Sequence, residues 1–307
     1  MSFLGPLELL GKRKDFAGRW LGSHRLNRWG LHPARILASD VSMALRRSQL
    51  AMVGTRTIEQ FARDGVIAIP DFLDVATWQA VRAEAHERLD ALSRRVSLPA
   101  RSTRGVRSEH RFAHGWDRCD GDTVIRLTLI RRDLAPAAAA AVREPRLARI
   151  CAATSGYRHA PGRFRLYETI QGDEHYKPDS QKLLHKDTFH SAVKVWLFLS
   201  DVRPEQGPIE YVPGSHRMTA PRLRWEYRRA IQASAAAAEQ PGGAFRVSDE
   251  ERKALGLPAP RALTVSANTL VIADVRGFHR RGAARPGARR LCLYANLRRN
   301  PFWPLVW

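Results

Sequence analysis

The stretch LLHKDTFHSAVKVWLFLSDVRPEQGPIEYVPGSH, Leu183–His216, holds a His-x-Asp pair, an apolar run, a Gly-Pro turn and a Pro-Gly turn. In an extended chain residues two apart point to the same side. His185 and Asp187 therefore aim an imidazole and a carboxylate at one point, while Lys186 faces away. Together they make two-thirds of a 2-His-1-carboxylate site, which leaves three positions open on Fe(II) for a co-substrate and O₂. A His-x-Asp pair also occurs on ordinary surface strands, so the reading needs a third ligand from elsewhere. The segment NTLVIADVRGFHRRGAARPGARRLCLYANLR, Asn268–Arg298, offers one, with His279 after an apolar run and Arg290 at the start of another.

The surrounding pattern is mainly β with flanking helices. Residues 163–170, 182–187, 194–199, 209–212, 263–265, 269–274, 277–279 and 290–297 read as eight short strands separated by turn residues, the spacing of a sandwich or jelly roll. Helices are expected at 57–64 with Thr57 as N-cap, and at 74–96 with Val75, Trp78, Val81, Ala85 and Leu89 as a core stripe. A single helix is expected from Asp133 to Ser155, with Pro136 in its first turn. A helical insert within 218–260 interrupts the strands and is expected to shape the substrate entrance. Residues 97–122 read as one long loop, where Arg101, Arg104, Arg107, Arg111 and Arg118 would meet an anionic substrate and His110 and His114 are surface residues.

With 307 residues and 44% hydrophobic content the chain can bury a sizeable core, and no apolar run approaches the ~20 residues of a membrane span. Its N-terminus has the apolar part before the charges, the reverse of a secretory signal. Cys119, Cys151 and Cys292 are odd in number and far apart, which points away from a disulfide framework or a zinc site and toward the cytoplasm. Cys292 reads as strand packing. The net charge of +21 attracts anions of any kind, whether substrate, nucleic acid or acidic lipid. Residues 1–50 form a basic extension in which Trp20, Trp29 and several leucines are interleaved with Lys and Arg. Peripheral contact with a membrane is one reading of such a segment. Packing over the barrel is the preferred one, because Gly5, Pro6, Gly11, Gly18, Gly22, Gly30 and Pro33 should break any long helix.

The order His-x-Asp, Trp196, a Gly-Pro turn, Pro-Gly-Ser-His, then His279 and an Arg eleven residues later resembles the phytanoyl-CoA dioxygenase family of Fe(II)/2-oxoglutarate oxygenases. The resemblance runs from about Thr57 to Asn300 and includes the opening IEQFARDGVIAIPDFLDVATWQAVRAE. It implies a double-stranded β-helix (jelly roll, cupin-like) over residues 51–307. It also implies iron at His185, Asp187 and His279, 2-oxoglutarate held by Arg290 with Trp196 close to it, and O₂ as oxidant. The rigid fork of a guanidinium suits the distal carboxylate of 2-oxoglutarate. Arg289 would face the opposite side, and Arg280, Arg281 and Arg285 are competitors.

Asp187 favours hydroxylation, since the related halogenases lack this carboxylate. His190 and His216 are rival ligands, with His190 expected to be solvated and His216 to brace its turn. Glu168 and Tyr167 are either pocket or barrel lining. The sequence departs from the family pattern after His279, where RRGAARPGA replaces small residues and an Asn, and at Gln206-Gly207, often Asn-Gly. The implied activity is hydroxylation of a small or lipid-like, anionic substrate with release of succinate and CO₂. The alternatives are a nucleic-acid dealkylating oxygenase, disfavoured because a single arginine is not the paired pattern of those demethylases, and a non-catalytic barrel binding protein, disfavoured by the intact triad.

Overall fold

The computed structural model describes residues 6–50, 56–98, 108–158, 160–172, 179–235 and 242–306. In chain order the elements are α1 (His24–Arg28), α2 (Leu31–Gln49), α3 (Arg56–Asp64), β1 (Val66–Ile69), α4 (Val75–Ser93), β2 (Ser108–Phe112), β3 (Gly115–Asp120), β4 (Thr123–Leu129), α5 (Pro136–Ala141) and α6 (Pro145–Ser155). There follow β5 (Arg165–Gln171), β6 (Val193–Phe198), β7 (Ile209–Tyr211), α7 (Ala220–Ala233), α8 (Asp249–Ala254), β8 (Arg261–Ala262), β9 (Leu270–Asp274), β10 (His279–Arg281) and β11 (Arg289–Leu297). Eight strands form one antiparallel sheet in the order β1-β9-β6-β11-β5-β4-β3-β2, and β10-β7-β8 form a second. The two sheets face each other as the jelly roll of a double-stranded β-helix.

Period-two alternation sorts the side chains of the large sheet between two cores. Val193, Val195, Leu197, Leu291, Leu293, Ala295 and Leu297 pack with Val81, Ala85 and Leu89 of α4 and with Ala138 and Leu147 of α5 and α6. Their strand neighbours Trp196, Phe198 and Cys292 point the other way and meet Ile209, Tyr211, Leu263 and Val271 between the sheets. The register that sends apolar residues to the helices thus sends Lys194, Trp196, Arg290 and Tyr294 into the space between the sheets. A one-residue slip would reverse both sets.

Several sequence expectations are corrected. Residues 108–120, read as loop, form β2 and β3, which extend the large sheet through β4. Their alternation is hidden because a buried position of β3, Asp117, carries charge: it makes a bidentate pair at 2.8 Å with Arg126 of β4. Arg101, Arg104 and Arg107 lie outside the described residues, while His110 and His114 are exposed as expected. The Asp133–Ser155 helix is two helices, because Pro145 cannot continue α5 and instead starts α6, capped by the Glu144 carboxylate on Leu147 N. Thr57 lies inside α3, which begins at Arg56. Residues 182–187 are not a strand ladder; a 3₁₀ turn at Ser180–Lys182 precedes two isolated bridges at His185, to Arg246 and to His279. The pairing expected at 263–265 falls on Arg261–Ala262, with Val265 only bridging Val202.

The N-terminal residues fold against the rest. Despite Pro33, α2 is continuous over 19 residues, since a proline in the first turn leaves no intrahelical bond unmade. Phe16 stacks on Phe245 with ring centroids 5.7 Å apart. Arg35 donates to the carbonyls of Leu9, Gly11 and Arg13. Among the described residues no helix is long and apolar enough to cross a membrane.

Candidate metal centre

His185 and His279 are joined by a reciprocal pair of backbone bonds, His185 N to His279 O at 3.0 Å and His279 N to His185 O at 2.8 Å. Two residues on, Asp187 N donates to Val275 O at 2.8 Å. This narrow antiparallel contact, with His279 at the start of β10, sets both imidazoles and the carboxylate on one side. The ring centroids are 4.6 Å apart, and one ligand atom from each of the three residues lies within 4.8 Å of the others. His185 Nε2 is 3.6 Å from Asp187 Oδ1, and His279 Nε2 is 3.7 Å from Asp187 Oδ2.

The tautomers follow from the other ring nitrogens. Nδ1 of His185 donates to Leu183 O at 2.7 Å and Nδ1 of His279 to Gly277 O at 2.9 Å. A neutral imidazole that donates from Nδ1 presents a lone pair at Nε2. Both Nε2 atoms are buried and have no hydrogen-bond partner. Burial and the neighbouring His185 push His279 down to about 3, so it stays neutral near pH 7. Burial would raise the Asp187 carboxyl, but Lys194 and the two imidazoles outweigh it and hold the group well below the usual carboxylate range. Two partnerless lone pairs facing one ionised carboxylate fit a divalent cation.

Lys194 is a member of this cluster that sequence reasoning missed. Its Nζ sits 2.6 Å from Asp187 Oδ2. The signal was a charge within the apolar run VKVWLF in the same register as Trp196. Lys186 does face away, yet not into solvent: its Nζ is 2.6 Å from Glu226 Oε2 in the fully buried interior. Glu226 of α7 also takes His32 Nε2 at 3.0 Å and Arg222 NH1 at 2.7 Å. The insert expected at the substrate entrance therefore braces the back of the His-x-Asp segment.

The triad opens into a cavity of about 520 Å³ whose lining includes Lys14, Trp196, Tyr167, Arg290, Tyr294 and Arg298. Arg290 projects into it from β11. Burial and nearby Arg281 lower its guanidinium to about 10, and its Nε is buried without a partner. The competing arginines are each occupied: Arg280 by Glu210 at 2.6 Å, Arg281 by Asp179 at 2.6 Å and Arg285 by Glu205 at 3.5 Å. Arg289 turns outward to Glu168 at 3.0 Å, which removes Glu168 from the cavity and leaves Tyr167 there. Trp196 lies 5.9 Å from the Tyr294 ring.

His190 is buried rather than solvated. Its ring bonds Ser191 O at 2.9 Å and Arg298 at 3.3 Å, and it lies outside the three-residue cluster. His216 reaches Ala62 O of α3 at 3.2 Å, so it braces its turn against another element. One further contact comes from far away in sequence: Lys14 donates to the Asp187 carbonyl.

A family model, phytanoyl-CoA dioxygenase, matches residues 61–285. The chain belongs to this family. Phytanoyl-CoA dioxygenase relatives use Fe(II), 2-oxoglutarate and O₂, and the match contains His185, Asp187 and His279 but stops before Arg290. Among solved structures, the chain is similar to the epimerase SnoN in complex with Fe³⁺, alpha ketoglutarate and nogalamycin RO, with 18% identity, 82% of this chain and 87% of that one covered, and a TM-score of 0.47. It is also similar to HygX from Streptomyces hygroscopicus with nickel and 2-oxoglutarate bound (16% identity, 80% and 87% covered, TM-score 0.43). EctD from S. alaskensis with bound Fe is a third (14% identity, 80% and 76% covered, TM-score 0.44). No curated protein sequence matches the chain significantly.

Proposed function

We propose that the chain is an Fe(II)- and 2-oxoglutarate-dependent hydroxylase of a small or lipid-like substrate carrying an anionic group. The observation that carries the reading is the pair of buried, partnerless Nε2 atoms facing the two oxygens of Asp187. In this reading His185, Asp187 and His279 hold the metal, and Arg290 takes the distal carboxylate of 2-oxoglutarate with Trp196 packed beside it. Bound iron with 2-oxoglutarate supplies the oxidising power that places one oxygen atom of O₂ on the substrate, with succinate and CO₂ as co-products. The chain's own part is to aim both Nε2 atoms at one point, keep His279 neutral and keep the Asp187 carboxylate ionised. Residues 51–307 form the catalytic unit, and the basic extension 1–50 adds Lys14 to its rim.

Two cavity cations support an anionic substrate. Lys14 and Arg298 have no described carboxylate partner and instead donate to the carbonyls of Asp187 and Lys12. Burial lowers both from their usual values, which an arriving anion would reverse. Trp116, Tyr167 and Tyr294 offer apolar surface beside them. Cys119, Cys151 and Cys292 are buried and form no disulfide, in keeping with a cytoplasmic setting.

The test is formation of succinate from 2-oxoglutarate with and without Fe(II), together with the visible charge-transfer band of the anaerobic ternary mixture. Turnover that needs iron and rises with an anionic candidate substrate, giving a product heavier by one oxygen, is the expected result. Iron-independent turnover or none, with no band, would sink the reading. Arg290→Ala is expected to raise the KM for 2-oxoglutarate by at least tenfold, on the order of the 1.5–3 kcal/mol of a charged hydrogen bond. Arg289→Ala should change it little. Equal effects of the two would place the 2-oxoglutarate carboxylate elsewhere.

A further inference from the structure

Helix α2 is built inside out. Its inward face carries His32, Arg35, Ser39, Ser42 and Arg46, with Ile36 and Met43 as the apolar members. The polar groups are anchored: His32 on Glu226, Arg35 on three carbonyls, and Arg46 on the carbonyls of Pro301 and Trp303. Its outward face is apolar. Leu37, Val41 and Leu45 are 50%, 62% and 49% exposed, and Ala34, Ala38 and Ala44 beside them are exposed as well. At spacings of four residues the three large side chains form one row along the helix. Single exposed aliphatics are ordinary, whereas a continuous row marks a surface that something covers.

The row has apolar neighbours. Leu7, Leu10, Trp29, Trp303 and Leu305 are all about half exposed or more. They belong to segments that touch α2 or each other: Asn300 donates to Leu10 O, Gln49 to Pro304 O, and Arg46 to Trp303 O. We infer that this face of α2, with its Trp and Leu neighbours, docks the protein on an anionic lipid surface.

Charge selects that occupant over a second copy of the chain. Residues 6–50 contain nine Lys and Arg against three acidic residues. All three acids are withdrawn: Glu8 is buried on the backbone N–H groups of Trp20 and Leu21, Asp15 pairs with Arg13, and Asp40 pairs with Arg276. Lys12, Arg19, Arg25 and Arg28 remain exposed. A two-fold contact through this face would set the same cations against each other. A bilayer of acidic headgroups instead neutralises them while its acyl boundary takes Leu37, Val41 and Leu45. Trp29, with the Arg25 guanidinium 4.4 Å above its ring, is suited to the boundary itself.

The test is flotation of the full chain with vesicles of phosphatidylcholine alone and of equimolar phosphatidylcholine and phosphatidylglycerol. The expected result is binding to the second only, weakened by salt. L37Q/V41Q/L45Q should lose at least tenfold in vesicle affinity, and R25S/R28S should lose the preference for phosphatidylglycerol. Both variants should keep the melting temperature and the iron-dependent succinate formation of the parent, since all five residues are exposed and remote from the cavity lining. Vesicle binding unchanged in the triple glutamine variant would overturn the inference. So would a concentration-dependent dimer of the parent that the same variant abolishes, which would give the face to a second copy.

Discussion

Asp187→Ala is expected to remove iron binding and iron-dependent turnover together. Loss of one partner behind a metal ligand typically costs about 10–100-fold in affinity, so loss of a ligand itself should exceed the upper end of that range. Asp187 has a second duty in the absence of metal, since it faces Lys194 at 2.6 Å and both imidazoles. Its removal leaves Lys194 as a buried cation with nothing opposite, which opposes a divalent ion at the same place. His279→Ala should therefore be the milder of the two in iron affinity, though both abolish turnover. Lys194→Met is the informative companion: it removes the competitor for Oδ2, and iron binding should survive it. The measurement is iron content and affinity after reconstitution under anaerobic conditions. An Asp187→Ala protein that still binds iron as the parent does would mean that the metal sits elsewhere.

The second large effect is expected at Glu226, which touches no part of the cavity. Its carboxylate is fully buried and accepts from Lys186, Arg222 and His32. Burial lowers Lys186 to about 8 and His32 to about 4, so near pH 7 the cluster holds two cations, one anion and a neutral imidazole. Removing one partner of a buried pair costs about 3–5 kcal/mol because the other charge is left uncompensated. For a chain of this size each kcal/mol moves the melting temperature by roughly 2–4 °C. Glu226→Ala should thus lower it by about 10 °C. Because Lys186 lies between His185 and Asp187, iron affinity should fall as well. Glu226→Ala/Lys186→Met should recover part of both losses, as it leaves fewer unpaired charges. Full stability in Glu226→Ala, read by thermal unfolding, would show that the cluster is replaceable by water.

The sequence made legible what rests on local period. His185 and Asp187 share a side because they are two apart, and Arg290 and Arg289 part company for the converse reason. The convergence of His279 with them needed only two apolar runs brought together by the jelly roll. What stayed hidden depends on partners distant in the chain. Nothing near Lys194 announces Asp187 as its neighbour, and Glu226 lies 40 residues beyond Lys186. The contact of Lys14 with Asp187 spans 173 residues. The β2–β3 hairpin was lost for another reason. One of its two buried positions, Asp117, is charged, and its pairing with Arg126 of β4 satisfies it in a way that hydropathy cannot register.

The position of β11 bears on how the chain reaches this state. It is the last strand in sequence, yet it lies in the middle of the large sheet, bonded to β5 on one side and β6 on the other. Until residues 289–297 have been synthesised, β5-β4-β3-β2 and β6-β9-β1 can only be two separate half-sheets, each with a long open edge of unpaired backbone groups. Such edges invite pairing with other chains, and closure through contacts this distant in sequence is slow. Assembly of the sheet, and with it the arrival of Arg290 in the cavity, therefore waits on residues 289–297, and until they pair the two half-sheets are open to aggregation.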